Sequence, residues 1–194
     1  MRRYLSAHNR AESAGFTLIE LLVAVVVLSI LVTIAVPSFR GIILNNRRVA
    51  SINEFVVAIN QARTLAITSR KSVTICRSSN ADAAAPTCAT GTGWESGWVS
   101  FVETSPANGV LDTGEPILRR HVALDSGTAM HGNTNIVNRI TFNSSGITNN
   151  NGRITYCDSR GWGSDARIVV VSVGGRVQTV DSSGDSAPLL TACL

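Results

Sequence analysis

Charged residues are scarce in this 194-residue chain, and one kind of cation is nearly missing. Only 15% of the residues are charged, and Lys71 is the sole lysine, so the positive charge rests almost wholly on arginine. The formal net charge of +4 is too mild to require an acidic partner. The sequence also has no internal repeat and no low-complexity segment, and its length provides for one modest domain without a second core.

Residues that could build a catalytic or metal site are missing or poorly placed. No two cysteines have the CxxC spacing, and no histidine lies at metal-ligand spacing from a cysteine, so a zinc site is not expected. His121 and His131 have no nucleophile-elbow sequence with which to form a catalytic set. We therefore predict no enzymatic activity, no catalytic residue, no metal and no cofactor. This absence argues against the alternative of a membrane-tethered enzyme.

One long apolar run lies near the start of the chain. It extends from Phe16 to Val36, and Glu20 is the only charged residue among these 21 positions. As a helix, the run would be about 31 Å long, close to the roughly 30 Å of a bilayer's hydrocarbon core. Arg2, Arg3 and Arg10 precede it, so its start is expected on the cytoplasmic side. We predict that residues 16–36 span the membrane.

The junction Gly15-Phe16-Thr17-Leu18-Ile19-Glu20 resembles the leader junction of type IV pilins and type II secretion pseudopilins. In that family a short basic leader ends in glycine, phenylalanine usually follows, and glutamate is the fifth residue after the cut. The resemblance implies a prepilin leader at residues 1–15, cleavage between Gly15 and Phe16 by a prepilin peptidase, and N-methylation of Phe16. The alternative is a plain membrane anchor whose Glu20 snorkels to the lipid headgroups.

Glu20 is the candidate assembly residue. An unpaired carboxylate in hydrocarbon costs roughly 2.5 to 3.5 kcal/mol on insertion scales, so an intramembrane acid usually has a partner. The resemblance supplies one, namely the free amine of a neighbouring subunit's first residue. It implies that Glu20 draws each subunit into register with a growing filament.

The helix is predicted to continue beyond the membrane as an amphipathic stem over residues 37–70. Pro37 should kink the helix rather than end it, because apolar periodicity resumes afterwards. The predicted buried stripe follows helical spacing and consists of Val49, Ile52, Val56, Ile59, Ala62, Leu65 and Ala66. The residues expected on the other faces are Arg47, Arg48, Glu54, Asn60 and Arg63.

Residues 71–194 have the pattern of a β-rich globular domain. Gly174-Gly175 is the signal of a two-residue hairpin, because both positions can take positive φ. The fold class is therefore α+β, with a long, kinked N-terminal helix packed on antiparallel sheet as in type IV pilins. The candidate strands are Ser72–Cys76, Trp98–Val102, Ile117–Leu124, Ile136–Phe142, Arg153–Cys157, Arg167–Val173 and Arg176–Val180.

Three segments after the helix resemble the FimT/GspH group of minor pilins. They are Val73-Thr74-Ile75-Cys76 with a loop to Cys88 and then Gly97–Phe101, Ile140–Asn143 followed by Gly146, and Cys157–Gly161. The resemblance implies a structural and assembly-priming subunit of a type IV pilus or a type II secretion pseudopilus. Its implied partners are other pilins, the prepilin peptidase and inner-membrane lipid, and its implied place is the bacterial inner membrane with the C-terminal domain in the periplasm.

Four cysteines fit an oxidising compartment. Four cysteines permit three pairings, and the choice that is local in sequence pairs Cys76 with Cys88 and Cys157 with Cys193. The first bridge would close a loop, and the second would attach the C-terminus to a strand.

DNA binding is the alternative function. Some FimT members bind double-stranded DNA for natural transformation and carry a C-terminal Gly-Arg-x-Arg motif, whereas this chain has Gly175-Arg176-Val177-Gln178 and lacks the second arginine. Salt-sensitive phosphate contacts could involve arginines of the C-terminal third. The candidates are Arg153, Arg160, Arg167 and Arg176, which in a purely structural interpretation are solvated surface charges.

Overall fold

The computed structural model describes residues 15–91, 93–104, 107–161 and 163–182. They belong to two units, of which the first ends at Ile43 and the second begins at Leu44. One helix, α1 (Leu18–Ser69), contributes to both units and has Pro37 in its interior. The predicted continuation of the helix beyond the proline is therefore confirmed. The predicted leader, apart from Gly15, lies outside the described residues.

In the second unit, the buried face of α1 agrees only in part with the predicted stripe. The predicted residues that are buried are Ile52, Ile59, Ala62 and Ala66, and those that pack partly buried against the core are Val56 and Leu65. Phe55 and Ala58 are buried although the prediction omitted them, and Val49 is 52% exposed although the prediction included it. Arg48, which was placed on an outer face, is also buried. The true face is rotated toward Phe55, because that ring fits between two tryptophans. The buried residues of α1 are Arg48, Ile52, Phe55, Ala58, Ile59, Ala62 and Ala66.

Two four-stranded antiparallel sheets follow the helix. The first has the order β3-β2-β1-β5, and the second has the order β4-β6-β7-β8. All pairs of neighbouring strands are antiparallel, as predicted. The strands are β1 Val73–Arg77, β2 Trp98–Val102, β3 Ile117–His121, β4 Ala129–Gly132, β5 Arg139–Phe142, β6 Gly152–Cys157, β7 Arg167–Val171 and β8 Val177–Asp181.

The strand predictions hold for the order of the elements but not for every boundary. The bounds of β2 are as predicted, β6 is one residue longer than predicted, and the other predicted strands are shifted or shortened by one to three residues. β4 was missed, because Ala-Met-His-Gly has no β-branched residue to indicate a strand. It pairs with β6 through Ala129 to Gly132, so long-range pairing rather than local propensity forms this strand.

Strand β1 is buried on both faces, and every one of its residues is buried. Val73 and Ile75 belong to the main core, which also contains the buried face of α1 and residues of both sheets. Cys76 lies on the opposite face of the strand, in a smaller cluster with Val99 and Phe101 of β2. Alternate side chains of β1 therefore pack into two different hydrophobic clusters, and neither face of the strand is exposed to solvent.

An aromatic cluster joins α1 to the first sheet. The Phe55 ring makes edge-on contacts with Trp94 and Trp98, with ring centroids 5.1 and 5.0 Å apart. All three side chains are fully buried, and the Trp94 Nε1–H donates to the Ile136 carbonyl at 2.9 Å. These contacts orient the part of α1 around Phe55 on the first sheet.

The hairpin between β7 and β8 has a longer turn than predicted. The Ser172 N–H donates to the Arg176 carbonyl, which leaves three residues in the turn. Of the three turn residues, only Gly175 has a positive φ, 75°. A Cβ at Gly175 would collide with the Gly146 carbonyl oxygen, which also accepts a hydrogen bond from Arg63 Nε of α1 at 3.1 Å. Glycine is required here for both the backbone conformation and the close approach.

Candidate assembly surfaces

The start of α1 is capped by Thr17. Its Oγ1 accepts a hydrogen bond from the Glu20 backbone N–H at 3.2 Å, and its carbonyl accepts from the Leu21 N–H at 3.1 Å. Thr17-x-x-Glu20 is the sequence pattern of a capping box, a local signal from which the start of the helix was predictable. Glu20 thus lies in the first turn, where the helix dipole favours a carboxylate.

The first unit exposes apolar side chains on all faces of α1. Every large apolar residue from Phe16 to Ile43 is exposed, including Phe16 at 84%. The helix is long and apolar enough to cross a membrane, and its most apolar stretch contains no buried residue. The hydroxyls of Ser29 and Thr33 donate to the helix carbonyls of Val26 and Ile30 at 2.7 Å, so their polarity is satisfied internally. This surface suits lipid or other apolar helices.

In the second unit, an ion-pair network fastens α1 to the loop after β6. Arg160 binds Asp158 with two parallel hydrogen bonds, Nε to Oδ1 at 2.9 Å and Nη2 to Oδ2 at 2.6 Å. Its Nη1 donates to Asp165 Oδ1 at 2.9 Å and to Asn45 Oδ1 of α1 at 2.8 Å. The buried Arg48 adds hydrogen bonds to the Asp165 carbonyl and carboxylate. This network therefore attaches α1, at Asn45 and Arg48, to the loop after β6.

The pKa of Asp158 is lowered mainly by hydrogen bonds from the Arg160 side chain, whereas burial acts to raise it. The Arg160 backbone N–H contributes a further hydrogen bond to the carboxylate. Asp158 in turn raises the pKa of Arg160. The pair therefore stays ionised at neutral pH.

We predict that Asp158→Asn lowers the free energy of unfolding by about 2 kcal/mol at pH 7, because it removes a charged, 5% exposed acceptor. A carboxyl whose folded pKa lies below its unfolded value stabilises the fold above the unfolded pKa, about 3.9, and loses that contribution as the pH falls through the folded pKa. The difference between wild type and variant should therefore shrink below about pH 4. Urea unfolding of the detergent-solubilised chain, followed by tryptophan fluorescence, measures it.

Asp125→Asn is the matched control. Its ion pair with Arg47 is 54 to 62% exposed, so the expected loss is below about 1 kcal/mol. Equal losses in the two variants, or a difference that grows in acid, would contradict the structural role of Asp158.

Arg77, at the end of β1, is a second buried cation. Its Nη2 donates to Asn138 Oδ1 at 2.6 Å. Burial lowers the pKa of Arg77, and the charge of Glu95 opposes that shift. The side chain ties β1 to the residue before β5 and is not available at the surface.

The arginines proposed for DNA contact have different environments. Arg160 is held by two aspartates, and the Arg167 Nε lies 2.9 Å from Asp181 Oδ1. Carboxylates that already bind these guanidiniums would oppose a phosphate at the same place. Arg153 and Arg176 are exposed. The structure thus places Arg160 and Arg167 in ion pairs within the chain.

The disulfide Cys76–Cys88 is present, with the Cα atoms 5.5 Å apart, which confirms the local pairing. Cys157 is also disulfide-bonded, and its predicted partner Cys193 lies outside the described residues. In the part of the chain that the structure describes, no group of three or more His, Cys, Asp or Glu side chains is placed to hold a metal ion.

Two family models match the chain. One, described as Type II transport protein GspH, matches residues 51–175, and the other, the prokaryotic N-terminal methylation motif, matches residues 10–36. No curated protein sequence matches significantly.

The chain is also similar to solved structures. Two are crystal structures of the Pseudomonas aeruginosa (strain PAO1) type IV minor pilin FimU. The P21 form has a TM-score of 0.55 and 19% identity, over 77% of this chain and 96% of that one. The P65 form has a TM-score of 0.51 and 21% identity, over 75% and 98%. The minor pseudopilin EpsH of Vibrio cholerae has a TM-score of 0.49 and 11% identity, over 72% and 99%. The likeness to FimU confirms the predicted pilin-like fold.

Proposed function

Because the chain belongs to the family of the type II transport protein GspH, we propose that it is a minor pilin or pseudopilin. It acts as a structural and assembly-priming subunit of a type IV pilus or of a type II secretion pseudopilus. Function of this kind is non-covalent assembly, and we expect no enzymatic activity. The DNA-binding alternative has no support from the family match, and internal ion pairs already engage Arg160 and Arg167.

A single observation carries this proposal. A methylation motif overlaps the start of a helix whose apolar side chains are exposed on every face as far as Ile43, and the same helix continues into a folded domain. An exposed apolar surface of that length is stable only in lipid or against other apolar helices. A subunit that moves from membrane to filament meets both environments in turn.

The proposal assigns a role to each end of the chain. Prepilin peptidase removes residues 1–15, and methylation then modifies the new amine of Phe16. Residues 16–36 hold the subunit in the inner membrane, with residues 37–70 as stem and residues 71–194 as the periplasmic domain. Glu20 pairs with the Phe16 amine of a neighbouring subunit, which neutralises two charges in an apolar setting.

Mass spectrometry of the chain from purified filaments tests the processing step. We expect the first residue to be Phe16 with a methylated amine. In cells that lack the prepilin peptidase, the same chain should keep its leader and stay out of filaments. A chain that begins at Met1 within filaments would contradict the proposal.

Deletion of the gene distinguishes the two assemblies. A pilus subunit is required for surface pili, whereas a pseudopilus subunit is required for protein secretion. Loss of either process supports a filament role and identifies the machine. If both processes are unchanged, the proposed function is wrong.

A further inference from the structure

A groove of about 490 Å³ lies between the last turns of α1 and the strand β3. Val57, Gln61 and Leu65 of α1 line one wall, and Leu118 and Arg119 of β3 line the other. The Val57 side chain is 44% exposed and that of Leu118 is 40% exposed. The groove therefore offers apolar surface to a partner from outside the domain.

The strand beside this groove is an edge of its sheet. β3 pairs with β2 on one side only, so its outer N–H and C=O groups have no partner strand among the described residues. An exposed edge can accept an added strand by main-chain hydrogen bonds, and neighbouring pockets then receive alternate side chains. β3 provides the edge, and the groove provides the pocket.

Contacts within the domain fix the conformation of strand β3 in the unbound protein. The His121 ring stacks on Trp98 with centroids 3.9 Å apart, and its Nε2 lies 2.5 Å from the Glu54 carboxylate of α1. The Arg119 Nη1 donates to Gln61 Oε1 of α1 at 3.1 Å. A surface fixed in this way loses little conformational entropy on binding.

The charge of the edge indicates the kind of partner. Arg119 is bonded to a neutral amide, and the Arg120 Nη1 donates to the Ala83 carbonyl at 2.6 Å. Within the described ranges, neither guanidinium contacts a carboxylate, and no aspartate or glutamate lines the groove. Arg160 and Arg167, in contrast, already form ion pairs with aspartates of the same domain. A guanidinium has five donors, so both arginines of β3 can still bind a carboxylate.

We propose that the β3 edge and this groove bind an extended acidic segment of a neighbouring filament subunit. The segment adds as a strand beside β3, places an aliphatic or aromatic side chain in the groove, and pairs its carboxylates with Arg119 and Arg120. Charges on an edge strand can also serve only to prevent aggregation. That simpler role requires no apolar groove beside the strand. The inference rests on the proposed function, because it requires a neighbouring subunit.

Site-specific photocrosslinking in cells that assemble filaments tests this inference. A benzophenone side chain at position 118 of the full-length chain should crosslink to an acidic segment of another filament subunit, identified by mass spectrometry. The control position is Val180, which is 42% exposed on β8, an edge of the other sheet. It should give at most about a tenth of that product.

The possible failures are distinguishable. If the chain is in filaments but position 118 crosslinks to lipid, DNA, a second copy of this chain or nothing, the groove inference is wrong. If the chain is not in filaments at all, the proposed function fails and the inference fails with it.

Charge reversal provides a second arm. Arg119→Glu combined with Arg120→Glu should reduce the crosslink at position 118 at least tenfold, whereas Arg176→Glu should leave it unchanged. Tryptophan fluorescence verifies that each variant is folded. Equal reductions would mean that overall charge, not the β3 edge, controls the contact, and would overturn the inference.

Discussion

Replacement of Glu20 by alanine should reduce incorporation into filaments roughly a hundredfold while leaving membrane insertion intact. Truncating one partner of a desolvated charge pair typically weakens an interface by this amount or more. Insertion should be unchanged or easier, because the variant removes a charge from an otherwise apolar segment. The ratio of the chain in purified filaments to the chain in membranes, measured by immunoblot, gives the effect.

The structure also indicates a local role for Glu20 in its own helix. The size of the loss in the Glu20→Ala variant distinguishes this local role from pairing with a neighbouring subunit. An acid in the first turn of a helix typically changes a helix equilibrium by about fivefold or less, and by about thirtyfold in favourable, partly buried sites. The cap itself is made by Thr17 Oγ1 and the backbone N–H at position 20, so Glu20→Ala leaves it in place. A hundredfold loss therefore requires an intermolecular partner.

Thr17→Ala is the matched control. It removes the cap and keeps the carboxylate, so the chain should still enter filaments within a fewfold of wild type. If Thr17→Ala and Glu20→Ala have equal effects, Glu20 acts only on its own helix, and the proposed pair with the Phe16 amine of a neighbouring subunit is wrong.

Features that depend on local sequence were predictable in this chain. The apolar run from Phe16 to Val36 indicated the exposed helix, because composition alone determines where such a segment is stable. β2 was predicted with its observed bounds, and Cys76–Cys88 followed from closeness in sequence. The order of helix and strands follows from the same local patterns.

Features that depend on distant partners were not predictable. Arg48 is separated from Asp165 by 117 residues, so nothing in its neighbourhood indicates that it is buried. For the same reason Arg160 was predicted to be either a DNA contact or a solvated surface charge. β4 is a strand only because β6 provides its partner. In each case a contact remote in sequence overrides the local preference.

The stem shows how a correctly predicted helix can have a buried face that is only partly predicted. Apolar residues at positions 49 and 56 fit a three- and four-residue spacing as well as Phe55 does. The structure selects Phe55, since only that ring reaches Trp94 and Trp98. Periodicity identifies an amphipathic helix, and the shape of the opposing surface selects the face.

We expect Phe55→Ala to lower the free energy of unfolding by about 3 to 5 kcal/mol, the usual cost of removing a fully buried phenylalanine ring. The Phe55 side chain is 0% exposed, and its loss opens a cavity against two tryptophans that the surrounding strands hold in place. A typical domain has a total stability of about 5 to 15 kcal/mol, so the variant should be folded only marginally. Urea unfolding of the detergent-solubilised chain, followed by the fluorescence of Trp94 and Trp98, measures the change.

Val49→Ala decides between the predicted stripe and the observed face. Val49 is 52% exposed, so its truncation should cost less than about 0.5 kcal/mol. If Val49→Ala costs as much as Phe55→Ala, the helix packs with the face that periodicity alone predicted, and the aromatic contacts of Phe55 do not determine which face of the helix is buried.

The Phe55 variant should also be poorly incorporated into filaments, because an unfolded domain cannot present the assembly surfaces.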